Sequence, residues 1–118
     1  MDNLGKRKTL SISTYDEYTK VFDALSHPMR IKILGILVKE KQYVSELARM
    51  VNISRPLLYM HLKKLEAAGL ITGHAEISSS GKATKYYEAL DFEFVVNPYL
   101  LTALSETIPI NETEQSLE

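Results

Sequence analysis

Residues 45–69 read SELARMVNISRPLLYMHLKKLEAAG, and their pattern predicts a short helix, a tight turn and a longer helix. Apolar residues of the short helix share one face, and Ser45 is the expected N-cap. Asn52 predicts the turn because asparagine accepts left-handed backbone angles, and Ile53 is expected to fill the angle between the helices. A helix of about seven residues is not stable alone, so it must be held by packing.

The longer helix is predicted to have one apolar side and one basic side. Ser54 is the expected N-cap, Pro56 suits the first turn, and the helix is predicted to run to Ala68 before Gly69. At 100° per residue, the leucines of this helix fall on one side and the basic residues on the other. Between Ser54 and Lys64 there are three basic residues and no acid, so the outward side suits a major groove lined by phosphates.

Roles for the outward residues follow from their chemistry. Arg55 is expected to bind a guanine edge or a phosphate, and Tyr59 and Met60 to pack on thymine methyls or sugars. Lysines suit phosphates. The alternative is that the lysines form a solvated face and that Tyr59 and Met60 cover neighbouring apolar surface. The predicted DNA-binding residues are Ser54, Arg55, Pro56, Leu57, Tyr59, Met60, Lys63, Lys64, Lys82 and Lys85.

A β-hairpin is predicted after Gly69, where the hydrophobic period changes from 3.6 to 2. Residues 71–77 and 84–90 alternate around a loop at 78–81. Lys82 and Lys85 are the only basic residues after position 70. We expect a wing that reaches the phosphate backbone or the minor groove at 78–85; the alternative is a polar turn with lysines for solubility.

Further helices flank this unit. Thr14 and Glu17 form a capping box for a helix over 14–25, Pro28 begins a second helix, and Asn97 begins a last one. In the second helix the predicted apolar face contains Ile31, Leu34 and Val38, flanked by Ile33 and Leu37, and the predicted outward residues are Arg30, Lys32 and Lys39. Tyr43-Val44 is a candidate short strand.

The predicted fold class is mostly α with a β wing: a winged helix-turn-helix with a three-helix core, a hairpin wing and extra terminal helices. The domain boundaries are a basic arm at 1–12, the winged helix at 13–107 and an acidic, disordered tail at 108–118.

Charge is distributed unevenly. The net charge is −1, but residues 1–70 carry +5 and residues 71–118 carry −6, which predicts a basic binding surface beside an acidic remainder. There is no cysteine, which excludes disulfides and thiolate sites. Apolar runs are shorter than the roughly 20 residues of a membrane span, and no secretory signal pattern begins the chain.

Other function classes find little support. No nucleophile–base pairing, phosphate loop or cluster of acids at catalytic spacing indicates an enzyme. His27, His61 and His74 lie far apart in the sequence without metal-ligand spacing. His27 is expected at a helix junction and His61 in a packed, hydrogen-bonded position. We therefore expect neither metal nor cofactor. The alternative to a DNA-binding regulator is a winged-helix module that binds protein through the Tyr59–Met60 surface.

Several motifs in the same order resemble the ArsR-type regulators over about residues 21–90. The matching segments are ALSHPMRIKIL at 24–34, VSELA at 44–48, ISRP at 53–56, HLKKLEAAGLI at 61–71, Gly81-Lys82 and Tyr86-Tyr87. The resemblance implies a cytoplasmic, repressor-like, sequence-specific binder of double-stranded DNA that reads its site with the helix at 54–68. It also implies a homodimer joined through the first and last helices.

This chain departs from the family pattern in two respects. Leu57 and Tyr59 stand where the family usually has small polar residues, so we expect an unusual DNA site. The third helix has no cysteines and the last helix no histidine, which are the ligands of metal-sensing members. Any effector is therefore unidentified.

Overall fold

A computed structural model describes residues 14–110 of the chain. The predicted arm at 1–12 and residues 111–118 of the predicted tail lie outside this range. The elements in chain order are α1 (Tyr15–Leu25), α2 (Pro28–Lys39), β1 (Gln42–Tyr43), α3 (Val44–Val51), α4 (Arg55–Ala67), β2 (Ile71–Ile77), β3 (Ala83–Ala89) and α5 (Pro98–Thr107). Within residues 14–110, no helix has both the length and the apolar character needed to cross a membrane.

The core forms where α1, α2, α3 and α4 meet the base of the hairpin. Leu58, Leu62 and Leu65 of α4 are fully buried, as the leucine stripe predicts. They pack in one cluster with Ile33 of α2 and Leu47 of α3. Burial of such side chains contributes roughly 1.5–3 kcal/mol each, so α4 is held firmly on its inner side.

The turn between α3 and α4 has the predicted geometry. Asn52 adopts left-handed angles, φ 55° and ψ 49°, and Ile53 is half-buried against the core. Ser54 then caps α4, because its hydroxyl oxygen accepts a hydrogen bond from the backbone N–H of Leu57. The helix-turn-helix is thus fixed by backbone conformation as well as by packing.

The predicted face of α2 is confirmed in part, because Ile33, Leu34 and Leu37 are buried and Lys32 and Lys39 are exposed. The prediction was wrong at three other positions. Arg30 is buried rather than outward, and Ile31 and Val38 are 55% and 63% exposed rather than in the core. The cause is a tertiary contact: the Arg30 guanidinium donates to the backbone oxygens of Ala24, at 2.9 Å, and Asp23, at 3.0 Å. The Ala24 carbonyl has no amide donor four residues on, because Pro28 has no N–H. The Asp23 carbonyl also accepts from the backbone N–H and the hydroxyl of Ser26. The bonds to both carbonyls hold the Arg30 side chain inward.

The start of α3 also differs from the prediction. The helix begins at Val44 instead of after Ser45, and its N-cap residue, Tyr43, makes no side-chain cap hydrogen bond. Tyr43 is extended because it pairs with Tyr86 of β3. The short strand is therefore Gln42–Tyr43 rather than Tyr43-Val44, since the side chain of Val44 enters the core.

The hairpin is the larger part of a three-stranded antiparallel sheet with the strand order β1-β3-β2. At its tip, Gly81 adopts φ +85°, and Ser78 and Lys82 are joined by backbone hydrogen bonding. At its base, a Cβ added to Gly73 would lie 2.7 Å from the ring of Tyr87. Gly73 therefore makes room for this buried ring.

The last helix, α5, starts as predicted, with the Asn97 side chain accepting from the N–H of Leu100. It contacts α1, yet none of its residues is buried. Its most exposed large side chain is Tyr99, at 84%. An apolar helix in this position leaves an unpartnered surface on the side of the molecule formed by α1 and α5.

Candidate nucleic-acid interface

The outward side of α4 is open to solvent over its whole length. Its side chains project opposite the buried leucines, and its large hydrophobic side chains are 40% exposed at Tyr59, 41% at Leu57 and 65% at Met60. All eight predicted site residues between Ser54 and Lys64 are exposed: Ser54, Arg55, Pro56, Leu57, Tyr59, Met60, Lys63 and Lys64. The Ser54 hydroxyl is already engaged in capping, whereas the others project from a helix anchored on its far side.

One flank of α4 faces the wing across a basic cleft. Arg55, Lys82 and Lys85, which are up to 30 positions apart in the chain, line this cleft together. The other lining residues are Tyr43, Val44, Ser45, Ala83 and Thr84. Three cations in a concave surface suit a phosphate group, whereas the hydroxyls of Tyr43 and Thr84 already donate to Glu76.

The side chain of Lys85 extends from the wing towards α4. Its ammonium nitrogen is 5.3 Å from the ring centroid of Tyr87 and 6.0 Å from that of Tyr59. The hydrogen bond to the Tyr87 side chain raises the pKa of Lys85 above its usual value. Lys85 is therefore fully charged near neutral pH, and cation–π attraction places its charge beside the helix.

The opposite flank of α4 carries an ion pair that the sequence did not predict. The ammonium nitrogen of Lys64 lies 3.4 Å from a carboxylate oxygen of Asp23 in α1. Both side chains are more than half exposed, so the pair contributes little to stability. It nevertheless places an acid beside a lysine expected to bind phosphate, whereas the neighbouring Lys63 is exposed on the outward side.

A buried polar contact supports α4 from behind. His61, on the inner side of α4, accepts at Nδ1 from Nη1 of Arg30 at 3.3 Å, and its ring lies 4.8 Å from that of His27. His27 caps α2 through its side chain. Burial lowers the pKa of His61, and electrostatic interactions with His27 and Arg30 lower it further. The predicted roles of both histidines agree with this geometry, but the fold brings the two rings together although they are distant in sequence.

The third histidine lies elsewhere, on the outer face of the sheet. The His74 ring stacks on Tyr86 at 4.9 Å between centroids, and its Nε2 lies 2.7 Å from a carboxylate oxygen of Glu88. Among residues 14–110, no group of three or more histidine, aspartate or glutamate side chains is placed to hold a metal ion.

Sequence reasoning missed part of the cleft. Tyr43 and Ser45 line it beside the predicted cations, but Tyr43 was interpreted as part of a short strand and Ser45 as a helix cap. The polar, exposed position of Ser45 in the first turn of α3 was a signal for a second role. No local signal identified Arg30, because its partners are carbonyls of another helix.

Comparison with known proteins connects this geometry to a family. Residues 27–72 match the model of the bacterial regulatory protein, arsR family. An uncharacterized HTH-type transcriptional regulator of Methanocaldococcus jannaschii is 38% identical over 90 residues, which cover 76% of this chain and 94% of that protein. The chain belongs to the ArsR family.

Solved structures are similar to this chain in fold. NolR from Sinorhizobium fredii is 30% identical, with a TM-score of 0.53, over 78% of this chain and 84% of that one. A homodimeric winged helix-turn-helix DNA-binding domain from Mycobacterium bovis has a TM-score of 0.53 at 23% identity, over 64% of this chain and 65% of that one. The family and fold class predicted from the sequence are confirmed. The predicted function as a DNA-binding transcriptional regulator is also confirmed, in preference to the alternative of a protein-binding module.

Proposed function

We propose that this ArsR-family chain binds a specific double-stranded DNA site as a homodimer, with α4 in the major groove and the wing tip on the backbone. The observation that carries the proposal is the two-sided character of α4. Its leucine side is fully buried, and its other side is exposed, with cations and no acid between Ser54 and Lys64. A helix of this kind can enter a groove between phosphates without repulsion or unfolding.

The cations divide into two groups by position. Arg55 and the wing lysines, Lys82 and Lys85, line the cleft between α4 and the hairpin, where a strand of the duplex would pass. Lys63 is exposed on the outward side, where it would lie near a phosphate at the edge of the major groove. We assign Arg55, at the N-terminal turn, to a guanine edge and the lysines to phosphates, because bidentate guanidinium contacts specify bases and ammonium contacts position the protein.

The homodimer is supported by the apolar surface of α5. Tyr99 and Leu101 are 84% and 51% exposed, which is unfavourable for a monomer in water. The structurally similar domain from Mycobacterium bovis is homodimeric. Two copies joined along α1 and α5 would present two α4 helices to half-sites about one helical turn, roughly 34 Å, apart. Sedimentation should give twice the monomer mass, and Leu101→Asp should reduce it to the monomer mass.

Binding over a salt series tests the DNA contacts. Wild-type protein should bind a duplex selected from a random pool more tightly than random duplex, with affinity falling as salt rises. Arg55→Ala should cost about 1–3 kcal/mol on the selected site only, whereas Lys63→Ala should weaken both duplexes and reduce the salt slope by about 1. Lys39→Ala, an equal loss of charge from an exposed position on α2, is the control. Equal effects of all three variants would refute the assignment.

The direction of regulation and the location follow from the same proposal. A dimer that covers a site in a promoter would exclude the polymerase, so we expect repression, and the chromosome places the protein in the cytoplasm. A reporter gene placed downstream of the selected site should rise in expression when Arg55→Ala replaces the wild-type regulator. Lower expression would indicate an activator.

A further inference from the structure

The first two turns of α4 present an apolar surface where a DNA-reading helix meets the bases. Taking the buried Leu58 as reference, Pro56 and Met60 lie about 160° away from it on either side, at the centre of the outward face. Leu57 lies on the flank near Lys64. Met60 is 65% exposed and Leu57 is 41% exposed, so neither side chain is used to fill the core.

Hydrogen-bonding side chains in these turns stand to one side. Arg55 lines the cleft towards the wing, and the Tyr59 ring lies 6.0 Å from the ammonium of Lys85 in the wing. The outward side chains between these two residues and the flank near Lys64 have no donor or acceptor suited to a base edge. They belong to Pro56, Leu57 and Met60. The centre of the reading surface is therefore apolar.

An apolar centre selects for one feature of the major groove. Each base pair presents donors and acceptors there, and the thymine C5-methyl is the apolar group among them. A side chain without polar groups that covers a guanine or cytosine edge removes water from it without replacing the hydrogen bonds, which is unfavourable. The same side chain packed on a thymine methyl buries apolar surface on both partners, which is favourable.

We propose that Met60 and Leu57 determine sequence specificity by packing on thymine methyl groups, so that each half-site carries an A·T pair opposite the middle of α4. This inference rests on the proposed function, because it requires α4 to lie in the major groove. It assigns base selection at these positions to methyl contacts rather than hydrogen bonds. Arg55 would then read a neighbouring pair on the wing side.

Replacement of thymine by uracil tests the inference, because uracil lacks only the methyl group. A duplex is first selected from a random pool with full-length wild-type protein, and each thymine is then replaced symmetrically in both half-sites. Wild-type protein should lose about four-fold in affinity for each methyl removed at the contacted position. At other thymines the affinity should not change.

Protein variants identify the side chain responsible. Met60→Ala and Leu57→Ala, at exposed positions, should each bind equally the thymine and uracil forms of the position that the replaced side chain contacts. The thymine contacted by the other side chain should keep its four-fold ratio. Lys63→Ala should bind both forms more weakly and retain the four-fold ratio. Far-ultraviolet circular dichroism and the melting temperature show that each variant is folded.

Three outcomes would overturn the inference. If no uracil replacement weakens wild-type binding to a selected site, the proposed function stands and methyl recognition is wrong. If both variants keep the full thymine–uracil ratio, other residues read the methyl. If the random pool yields no preferred sequence, or α4 instead captures a protein, the proposed function fails together with the inference.

Discussion

His61 makes the stability of the protein depend on pH, because its contact with Arg30 requires a neutral imidazole. The guanidinium has only donors, so Nδ1 of His61, 3.3 Å from Nη1 of Arg30, must carry a lone pair. A proton on Nδ1 would place two donors face to face in a site where His61 is 8% exposed and Arg30 9%. The neutral form with its proton on Nε2 is therefore the one that fits the fold.

The sign of the pH dependence follows from the charges around the ring. His27 and Arg30 face it from α2, and with burial they lower the pKa of His61 in the folded state. The nearby acid, Asp23 of α1, directs its carboxylate to Lys64. His61 binds a proton more readily in the unfolded chain than in the folded one. The stabilisation by neutral His61 is therefore complete above its ordinary pKa of 6.5 and is lost as the pH falls from there towards its lower pKa in the folded state. The free energy of unfolding should decrease there with a slope of no more than about 1.4 kcal/mol per pH unit.

Two substitutions separate the hydrogen bond from the titration. His61→Leu removes the acceptor, so at pH 8 it should lower the free energy of unfolding by about 1–3 kcal/mol, the cost of an unpaired buried donor. Arg30 keeps its bonds to the carbonyls of Ala24 and Asp23, which limits the loss. His61→Gln supplies an amide oxygen as acceptor and should lose less.

Urea unfolding at pH 8 and pH 5.5, followed by circular dichroism, provides the measurement. Wild-type protein should lose more stability between these values than either variant, and the difference isolates His61 from the carboxylates that titrate in all three. Parallel pH profiles for the wild type and His61→Gln, or a wild type that gains stability on acidification relative to it, would refute the reasoning.

Four other substitutions test the packing, the cap and the ion pair. Gly73→Ala should lower the free energy of unfolding by about 1–3 kcal/mol, because the new methyl meets a buried tyrosine ring of β3. Gly35→Ala, with nothing within 4 Å of the new methyl, should instead raise it by about 0.5–1 kcal/mol. Variants that melt at the wild-type temperature would contradict both expectations. Ser54→Ala should cost about 1 kcal/mol through loss of the α4 cap, which thermal melting measures; an unchanged melting temperature would show that the cap is redundant. Asp23→Asn should change stability by less than about 1 kcal/mol and raise affinity for selected and random DNA alike, because the carboxylate competes with phosphate for Lys64; unchanged affinity in a fluorescence anisotropy assay would place that lysine away from the duplex.

Local chemistry made the helix-turn-helix and the hairpin predictable. Asn52 and Ser54 act on their own neighbours, through a left-handed turn and a cap, and the leucines of α4 repeat with the period of the helix. The alternation after Gly69 likewise predicts the strands without reference to the rest of the chain. Elements of this kind can be predicted without knowledge of the tertiary packing.

The errors arose where a distant group decided the outcome. Arg30 was expected in solvent because arginine usually is, but carbonyls at the end of α1 bury it and expose Ile31. The first turn of α3 shifted because Tyr43 pairs with β3. Lys64 matched the predicted outward position, but the sequence carries no sign that Asp23, 41 positions earlier, faces it. Such pairings become visible only after the chain is folded.

The central place of β3 in the sheet limits what the wing can do. Because β3 is hydrogen-bonded to β2 on one edge and to Gln42–Tyr43, directly before α3, on the other, the base of the wing cannot swing relative to the helices without breaking these pairs. The span between α4 and the base of the wing is therefore set before binding. A duplex must supply the curvature and groove width that this span demands, so flexible base steps at positions that no side chain touches should strengthen binding.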